Sequence, residues 1–409
     1  MSSTSKTTLQ HLLQVPVIVA ALGYLVDMYD LFLFSVVRVS SLTELGVAAD
    51  QILPQGVYIL NLQLAGLLIG GVFWGILGDK KGRLSILFGS IILYSLANIA
   101  NGFVQTVEQY AWLRFIAGIG LAGELGAGIT LVAEILPKDI RGYGTTVVAT
   151  MGLLGAIAAN LVADWFDWRI TYFVGGGMGL VLLILRFNVF ESGMFEKIKS
   201  KDVKRGNMLM LIGNRRRFSK YILSILVGIP LWFVVGVLMT FAPEFGKAHG
   251  LADPISAGKA VMLVFSGQIL GDIASGLASQ YLQSRKKVMT LFILLSFGFM
   301  LVYLLWPMQH TSTFYFVCAC LGFCNGYWTI FITIAAELFG TNLRATVATS
   351  VPNFVRGTAI ILSSAFLYFR PSFGLIHSAL IVAVGSVLIS LTSLYFLEET
   401  FHKDLNYEE

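Results

Sequence analysis

Apolar stretches of about twenty residues recur along the chain, separated by short polar turns. Twelve can be drawn, at 14–38, 55–77, 84–104, 110–135, 143–165, 169–190, 220–243, 257–280, 288–307, 313–338, 346–368 and 374–396. A helix of that length crosses the roughly 30 Å of hydrocarbon in a bilayer. The longest polar stretch between them, ESGMFEKIKSKDVKRGNMLMLIGNRRRFSK at 191–220, divides the spans six and six. The pattern predicts an all-α membrane protein with twelve transmembrane helices in two six-helix bundles. Its expected parts are a first bundle at 1–190, a basic linker at 191–220, a second bundle at 221–398 and a tail at 399–409. The start, MSSTSKTTLQHLLQ, lacks a short apolar core with a small-residue cleavage site, so the first span is expected to stay in the membrane.

Composition agrees with this reading. The 409 residues are 56% hydrophobic and 12% charged, where soluble domains are about a quarter charged. A net charge of +5 does not point to nucleic acid, because the basic residues fall in alternate loops. One set of loops holds Lys80, Lys81 and Arg83; Lys138 and Arg141; the middle linker; Arg285, Lys286 and Lys287; and Arg344. The other holds only a few, such as Arg169, Lys247 and Arg370. The positive-inside rule assigns the rich set, and with it both termini, to the cytoplasm, in a cell (inner) membrane. The linker is also basic enough to touch anionic lipid. Cys318, Cys320 and Cys324 lie in one apolar segment and read as small packing residues rather than metal ligands or a disulfide. No cofactor is expected.

An internal repeat adds to the picture. AEILPKDIRG (133–142) follows the fourth span and AELFGTNLRA (336–345) the tenth; in both, Arg stands seven positions after Glu. GILGDKKGRL (75–84) is echoed more weakly by LASQYLQSRK (277–286), where Tyr281 replaces the aspartate. Similar signals at matching places in two halves imply a parallel duplication.

GILGDKKGRL resembles the loop signature of the major facilitator superfamily: Gly75, Leu77, Gly78, Asp79, Lys80, Gly82 and Arg83 match in type and spacing, and Leu84 departs from the usual basic residue. Gly75 and Gly78 allow close helix approach, Gly82 a tight turn, and Asp79 suits a helix N-terminus. RFIAGIGLAGELGAGITLVAEILPKDIRG (114–142), DWRITYFVGGGMG (167–179) with FESGMF (190–195), and ELFGTNLRA resemble sugar porters and metabolite–proton symporters. The resemblance implies a monomeric transporter that binds a small molecule between its halves by alternating access, coupled to protons. No G-x-x-x-x-G-K-[ST] occurs, so nothing suggests a nucleotide-driven pump. No zinc-type His-Glu cluster or Gly-x-Ser-x-Gly suggests an enzyme.

The first span carries GYLVDMYDLFLF, with two carboxylates at bilayer depth. Such a group is costly unless it faces a wet cavity or a partner. Asp27 and Asp30 share one helix face, and Arg114, early in the fourth span, lies at a depth similar to Asp30. In the resembling proton-coupled sugar porters a Tyr-Asp pair faces the helix-four arginine; Tyr29-Asp30 and Arg114 match. Asp30 is then ionised while Arg114 is near and takes up a proton when they part, with Asp27 titrating alongside it. The alternative is a static pair that fixes helix packing.

Two readings of Arg356, in SVPNFVRGTAIIL, stand: a site for an anionic substrate group, or a partner for Asp272. Glu124 is a second proton site or a lumen-facing helper. Asn353, Gln268, Tyr327, Trp328, Asn160 and Trp232 are candidates for the cavity wall. Glu134 with Arg141, Glu337 with Arg344, and Asp79, Arg83 and Glu191 resemble the inner salt-bridge gate of these families. The seventh span, LSILVGIPLWFVVGVLMTF, has none of the amides that sugar porters use on hydroxyls. Few amides, several aromatics and one or two arginines suit a small organic acid, and D-M-Y-D resembles the first-helix signature of aromatic-acid–proton symporters. A zwitterion, an organic cation, a sugar, or efflux by antiport are the alternatives; efflux is disfavoured because GLLGAIAAN in helix five lacks proline.

Overall fold

In hydrocarbon each backbone N–H and C=O must find its partner inside the chain, which a helix achieves within one segment. The computed structural model describes residues 11–81, 83–123, 132, 136, 141–191, 210–211 and 213–401, with side chains described at these residues except 75–76, 78–81, 83–87, 141–143, 145, 188–191, 341–342, 344–345 and 348–349. Among the described residues no strand occurs. The first six spans are Val15–Glu44, Ile52–Lys81, Arg83–Asn101, Val107–Leu121, Arg141–Trp165 and Trp168–Glu191. The next four are Arg215–Met239, Ala257–Leu282, Arg285–Leu305 and Thr311–Glu337. A helical stretch from Thr341 to Phe396 holds the last two, because Gly374 (φ 73°, ψ 178°) breaks it. That left-handed value is open to glycine and strains other residues.

Short polar side chains set the helix starts. Thr106 accepts from the Gln109 N–H at 3.2 Å, Asn214 from Arg216 at 2.9 Å, Ser256 from Lys259 at 3.2 Å and Ser284 from Lys287 at 3.2 Å. Each satisfies an N–H that the first turn leaves open.

Three spans differ from the sequence pattern. The first does not stop at its charge, Arg38, but continues to Glu44. The seventh is interrupted: Arg215–Val227 ends at Gly228, Pro230 stands at the start of Ile229–Phe233, and a π-helical turn follows at Val234–Met239. Proline has no N–H to continue a helical ladder. The tenth divides into Thr311–Asn325 and Trp328–Glu337 around Gly326 and Tyr327.

The chain forms two compact units. One contains Met1–Phe34, Ser40–Gly46 and Ala65–Val203; the other contains Ser35–Val39, Val47–Leu64 and Lys204–Glu409. In the second, the eighth and tenth spans meet backbone to backbone. A Cβ on Gly267 or Gly271 would fall on the carbonyl of Ala319 or Phe323, and one on Gly322 on the carbonyl of Val264. Small residues drive such close packing where lipid is as apolar as leucine. The segment after the twelfth span folds back on the same unit. Glu399 accepts from the Arg285 N–H at 3.1 Å, the Lys286 N–H at 3.2 Å and the Ser284 hydroxyl, so it sits at the N-terminus of the ninth span. Glu398 lies 3.5 Å from Arg216 and 3.7 Å from Lys220.

Gly322→Leu should destabilise the detergent-purified protein by about 1–3 kcal/mol through overpacking, read as a lower melting temperature. Gly276→Leu, on the same eighth span with open space around its Cβ, should leave it unchanged. For Glu399, burial opposes ionisation, yet bonds from Ser284 and from the N–H groups of Lys286, Arg285 and Phe401 hold it below the ordinary glutamate range. Its stabilisation is therefore complete above that range and is lost as pH falls below it, through the depressed value. Glu399→Gln should lower the melting temperature at neutral pH, and the gap should close only below about pH 4.

Candidate functional site

The first unit builds one polar cluster from four spans. Asp30 and Arg114 are both fully buried, and Arg114 Nη1 lies 3.1 Å from Asp30 Oδ1. Arg114 Nη2 donates to Oδ1 of Asn98 on the third span. The guanidinium lies over the Tyr172 ring of the sixth span, 4.8 Å from its centroid. The Tyr172 hydroxyl meets that of Tyr110 at 2.6 Å, one turn before Arg114. Cation, anion, amide and aromatic face thus answer one another in a fully buried site. Oδ2 of Asp30 has no hydrogen-bond partner among the described residues. Asp27 is fully buried three residues earlier. Tyr29 is buried with its hydroxyl given to the Thr171 carbonyl at 3.0 Å. Asn160 is buried and bonds Asp164 in its own helix at 3.1 Å, so this amide is engaged locally.

The second unit gathers a different set. Arg356 is 1% exposed, with its guanidinium carbon 6.0 Å from the Trp232 ring centroid. Asn353 precedes it by three residues on the eleventh span, buried, and its Oδ1 has no hydrogen-bond partner among the described residues. Tyr327 is fully buried at the break in the tenth span, and its hydroxyl has no hydrogen-bond partner among the described residues. Trp328 stacks on Phe331 with centroids 5.4 Å apart. Gln268 is buried one turn before Asp272 on the eighth span. Asp272 does not pair with Arg356. Its Oδ1 accepts from the N–H and hydroxyl of Thr329, at 3.1 and 2.9 Å. The tenth span, packed against the eighth, brings the N–H and O–H of Thr329 onto this acid in place of the Arg356 guanidinium.

The sequence model of the Major Facilitator Superfamily matches residues 20–364. The chain belongs to that superfamily. It is a secondary transporter and not an enzyme. It is 28% identical over 340 residues to a probable 4-methylmuconolactone transporter of Cupriavidus pinatubonensis, covering 79% of this chain and 76% of that one. It is 28% identical over 289 residues to a cis,cis-muconate transport protein of Acinetobacter baylyi, covering 67% and 68%. A D-xylose–proton symporter crystal structure superposes with a TM-score of 0.71 at 18% identity, over 96% of this chain and 99% of that one. That likeness carries the twelve-helix facilitator fold.

The superfamily's inner-gate signature is only partly in view. Gly82, Glu124 and Glu134 lie outside the described residues. Gly75, Asp79, Arg83, Arg141, Glu191 and Arg344 have described helical backbone, but their side chains lie outside the described set. Glu337 bonds Arg285 of the ninth span at 2.7 Å; its sequence-matched partner was Arg344.

Sequence reasoning missed Asn98, Tyr110 and Tyr172, which surround Arg114, and a further cluster in the second unit. Arg38 is fully buried there, 2.7 Å from Glu244, and donates to the Thr240 carbonyl at 3.2 Å. Its guanidinium lies 4.8 Å from the Phe241 centroid. Thr240 donates to Ser35 at 3.0 Å, Ser363 to Asn61 at 2.7 Å, and Asn61 to Ser364 at 3.1 Å. The signal was available: an arginine in LFSVVRVSSL without a helix breaker after it.

Glu244→Ala leaves the buried Arg38 without its carboxylate and should cost about 3 kcal/mol of stability, measured by thermal unfolding. The double variant Arg38→Met/Glu244→Leu should recover most of that loss.

Proposed function

We propose that this transporter imports a small organic acid together with protons by alternating access, with both termini in the cytoplasm. The observation that carries the reading is the fully buried Asp30–Arg114 pair. A carboxylate held at bilayer depth by one arginine is ionised while the contact lasts and favours its protonated form once the contact is broken and water is excluded. Asp30 Oδ2, with no hydrogen-bond partner among the described residues, is where the proton binds. Asn98 and the Tyr172 ring stay with Arg114 when Asp30 leaves, so the cation keeps part of its coordination in both states. Asp27, on the same face, titrates with Asp30 as a coupled pair.

Arg356 beside Trp232 suits a carboxylate attached to a flat apolar body: the guanidinium supplies a two-pronged donor and the indole a stacking face. The buried Tyr327 hydroxyl can donate to a substrate oxygen, and the Asn353 Oδ1 can accept from a substrate O–H or N–H. The muconolactone and muconate transporters among the relatives support an acid of this kind, and the lack of amides in the seventh span argues against a sugar. The basic loops support the orientation.

Asp30→Asn should abolish uphill, pH-driven accumulation in proteoliposomes while retaining substrate exchange; loss of both with a poorly folded protein would favour a static packing pair. Arg356→Ala should weaken binding of a carboxylate probe such as benzoate at least about tenfold, equal to about 1.4 kcal/mol, in a thermal-shift titration. Arg356→Lys should recover little, since a point charge lacks the fork geometry.

A further inference from the structure

The second unit contains an acid that has no arginine, and its surroundings differ from those of Asp30. Asp272 stands ten residues before the end of the eighth span at Leu282, about 15 Å along the helix axis. The tenth span breaks beside it. Trp328–Glu337 starts a new ten-residue helix whose N-cap residue, Tyr327, gives no side-chain cap bond. The cap comes from another span: Asp272 Oδ1 accepts both the N–H and the hydroxyl of Thr329. Close contact between the backbones of Gly271 and Gly326 is what lets so short a side chain reach. Asp272 is therefore an anion at the positive end of a half-helix within the membrane.

No basic side chain pairs with Asp272 among the described residues. From the ninth span, Arg285 is on Glu337, Lys286 on the Tyr395 carbonyl and Tyr303 on the Leu238 carbonyl. From the seventh span and its extension, Tyr221 is on Ser350, Glu244 on Arg38 and His249 on the Tyr303 carbonyl. The tenth span presents the thiols of Cys318, Cys320 and Cys324 and the phenol of Tyr327, none bonded to Asp272. On its own helix, Lys259 lies over the Tyr315 ring. The negative form thus rests on one hydroxyl, one N–H and a helix dipole, and a proton replaces most of that support.

The break itself leaves the buried Tyr327 hydroxyl without a hydrogen-bond partner among the described residues. A buried phenol in that condition is satisfied either by a bound group, as in the import reading above, or by another arrangement of the break. We propose that Asp272 is a second proton-binding site, and that its proton occupancy sets whether the second half of the tenth span is tied to the eighth. Ionised, Asp272 caps Trp328–Glu337 and holds the break. Protonated, it is a weaker acceptor, the cap loosens, and the tenth span is free to rearrange around Tyr327. The transport role of this site rests on the proton-coupled reading above, but the binding event does not require a transported compound.

The test is a pH titration of the detergent-purified full chain, reading the emission of Trp328 as the difference between the intact protein and Trp328→Phe. A single transition between about pH 4 and 9 is expected. It should vanish in Asp272→Asn, remain in Asp30→Asn, and persist with a displaced midpoint in Thr329→Val, which keeps the acid but removes its hydroxyl donor. If Asp272→Asn does not fold, Asp272→Glu must shift the midpoint in its place. A transition that survives Asp272→Asn, disappears in Asp30→Asn, or is absent from the intact protein overturns the assignment. Failure of the import reading shows separately, as uptake of benzoate indifferent to an imposed pH gradient while this titration stands.

Discussion

An ion inside a bilayer costs several kcal/mol unless the protein answers it, and the arrangement of this chain follows from how each such charge is answered. Asp30 is met by Arg114, and Arg114 in turn by Asn98 and the face of Tyr172. Arg38 is met by Glu244, a carbonyl and a phenyl ring. Asp272 is met by the start of a helix. Three solutions of different strength coexist: a full ion pair inside a fully buried cluster, an ion pair with one partly exposed partner, and a carboxylate held by dipoles alone. Because none is a permanent bond, each can be exchanged for a proton, a water molecule or a substrate group, and a transporter needs such exchange.

The large-scale architecture was open to reading because the bilayer imposes one length on every span. Six spans, a basic stretch and six more can be drawn from hydropathy alone; among the described residues the ends move and the seventh and tenth spans are broken. The partnership of Asp30 with Arg114 was also within reach, since depth and a shared motif narrow the choices to few. The rest depends on contacts across the fold. A charge at the end of an apolar run ordinarily marks the water boundary, so Arg38 looked like a stop; its helix runs on because Glu244, 206 residues later, receives it. Glu337, which the repeat matches to Arg344, also receives the ninth span's Arg285, a partner that no repeat marks. Asn98, Tyr110 and Tyr172 carry no individual mark in an apolar helix, and only assembly around Arg114 distinguishes them.

The glycines show the same division between local and distant causes. Gly374 acts through its own backbone, separating two spans by a single left-handed residue. Gly267, Gly271, Gly322 and Gly326 act through absence, letting two main chains touch. That contact has a chemical product, since it places the Asp272 carboxylate on the Thr329 N–H. Packing and chemistry are therefore not separable at this seam.

The π turn at Val234–Met239 has a consequence for the register of the seventh span. A π turn holds one residue more than an α turn, so everything beyond it is rotated by about 100° relative to an uninterrupted helix. Thr240, Phe241 and Glu244 all lie beyond it, and the Thr240 hydroxyl reaches back five residues to the Val235 carbonyl. The direction in which these three side chains point is thus set by one supernumerary residue. The turn re-aims the side chains that receive Arg38 while the backbone stays helical through the change of direction.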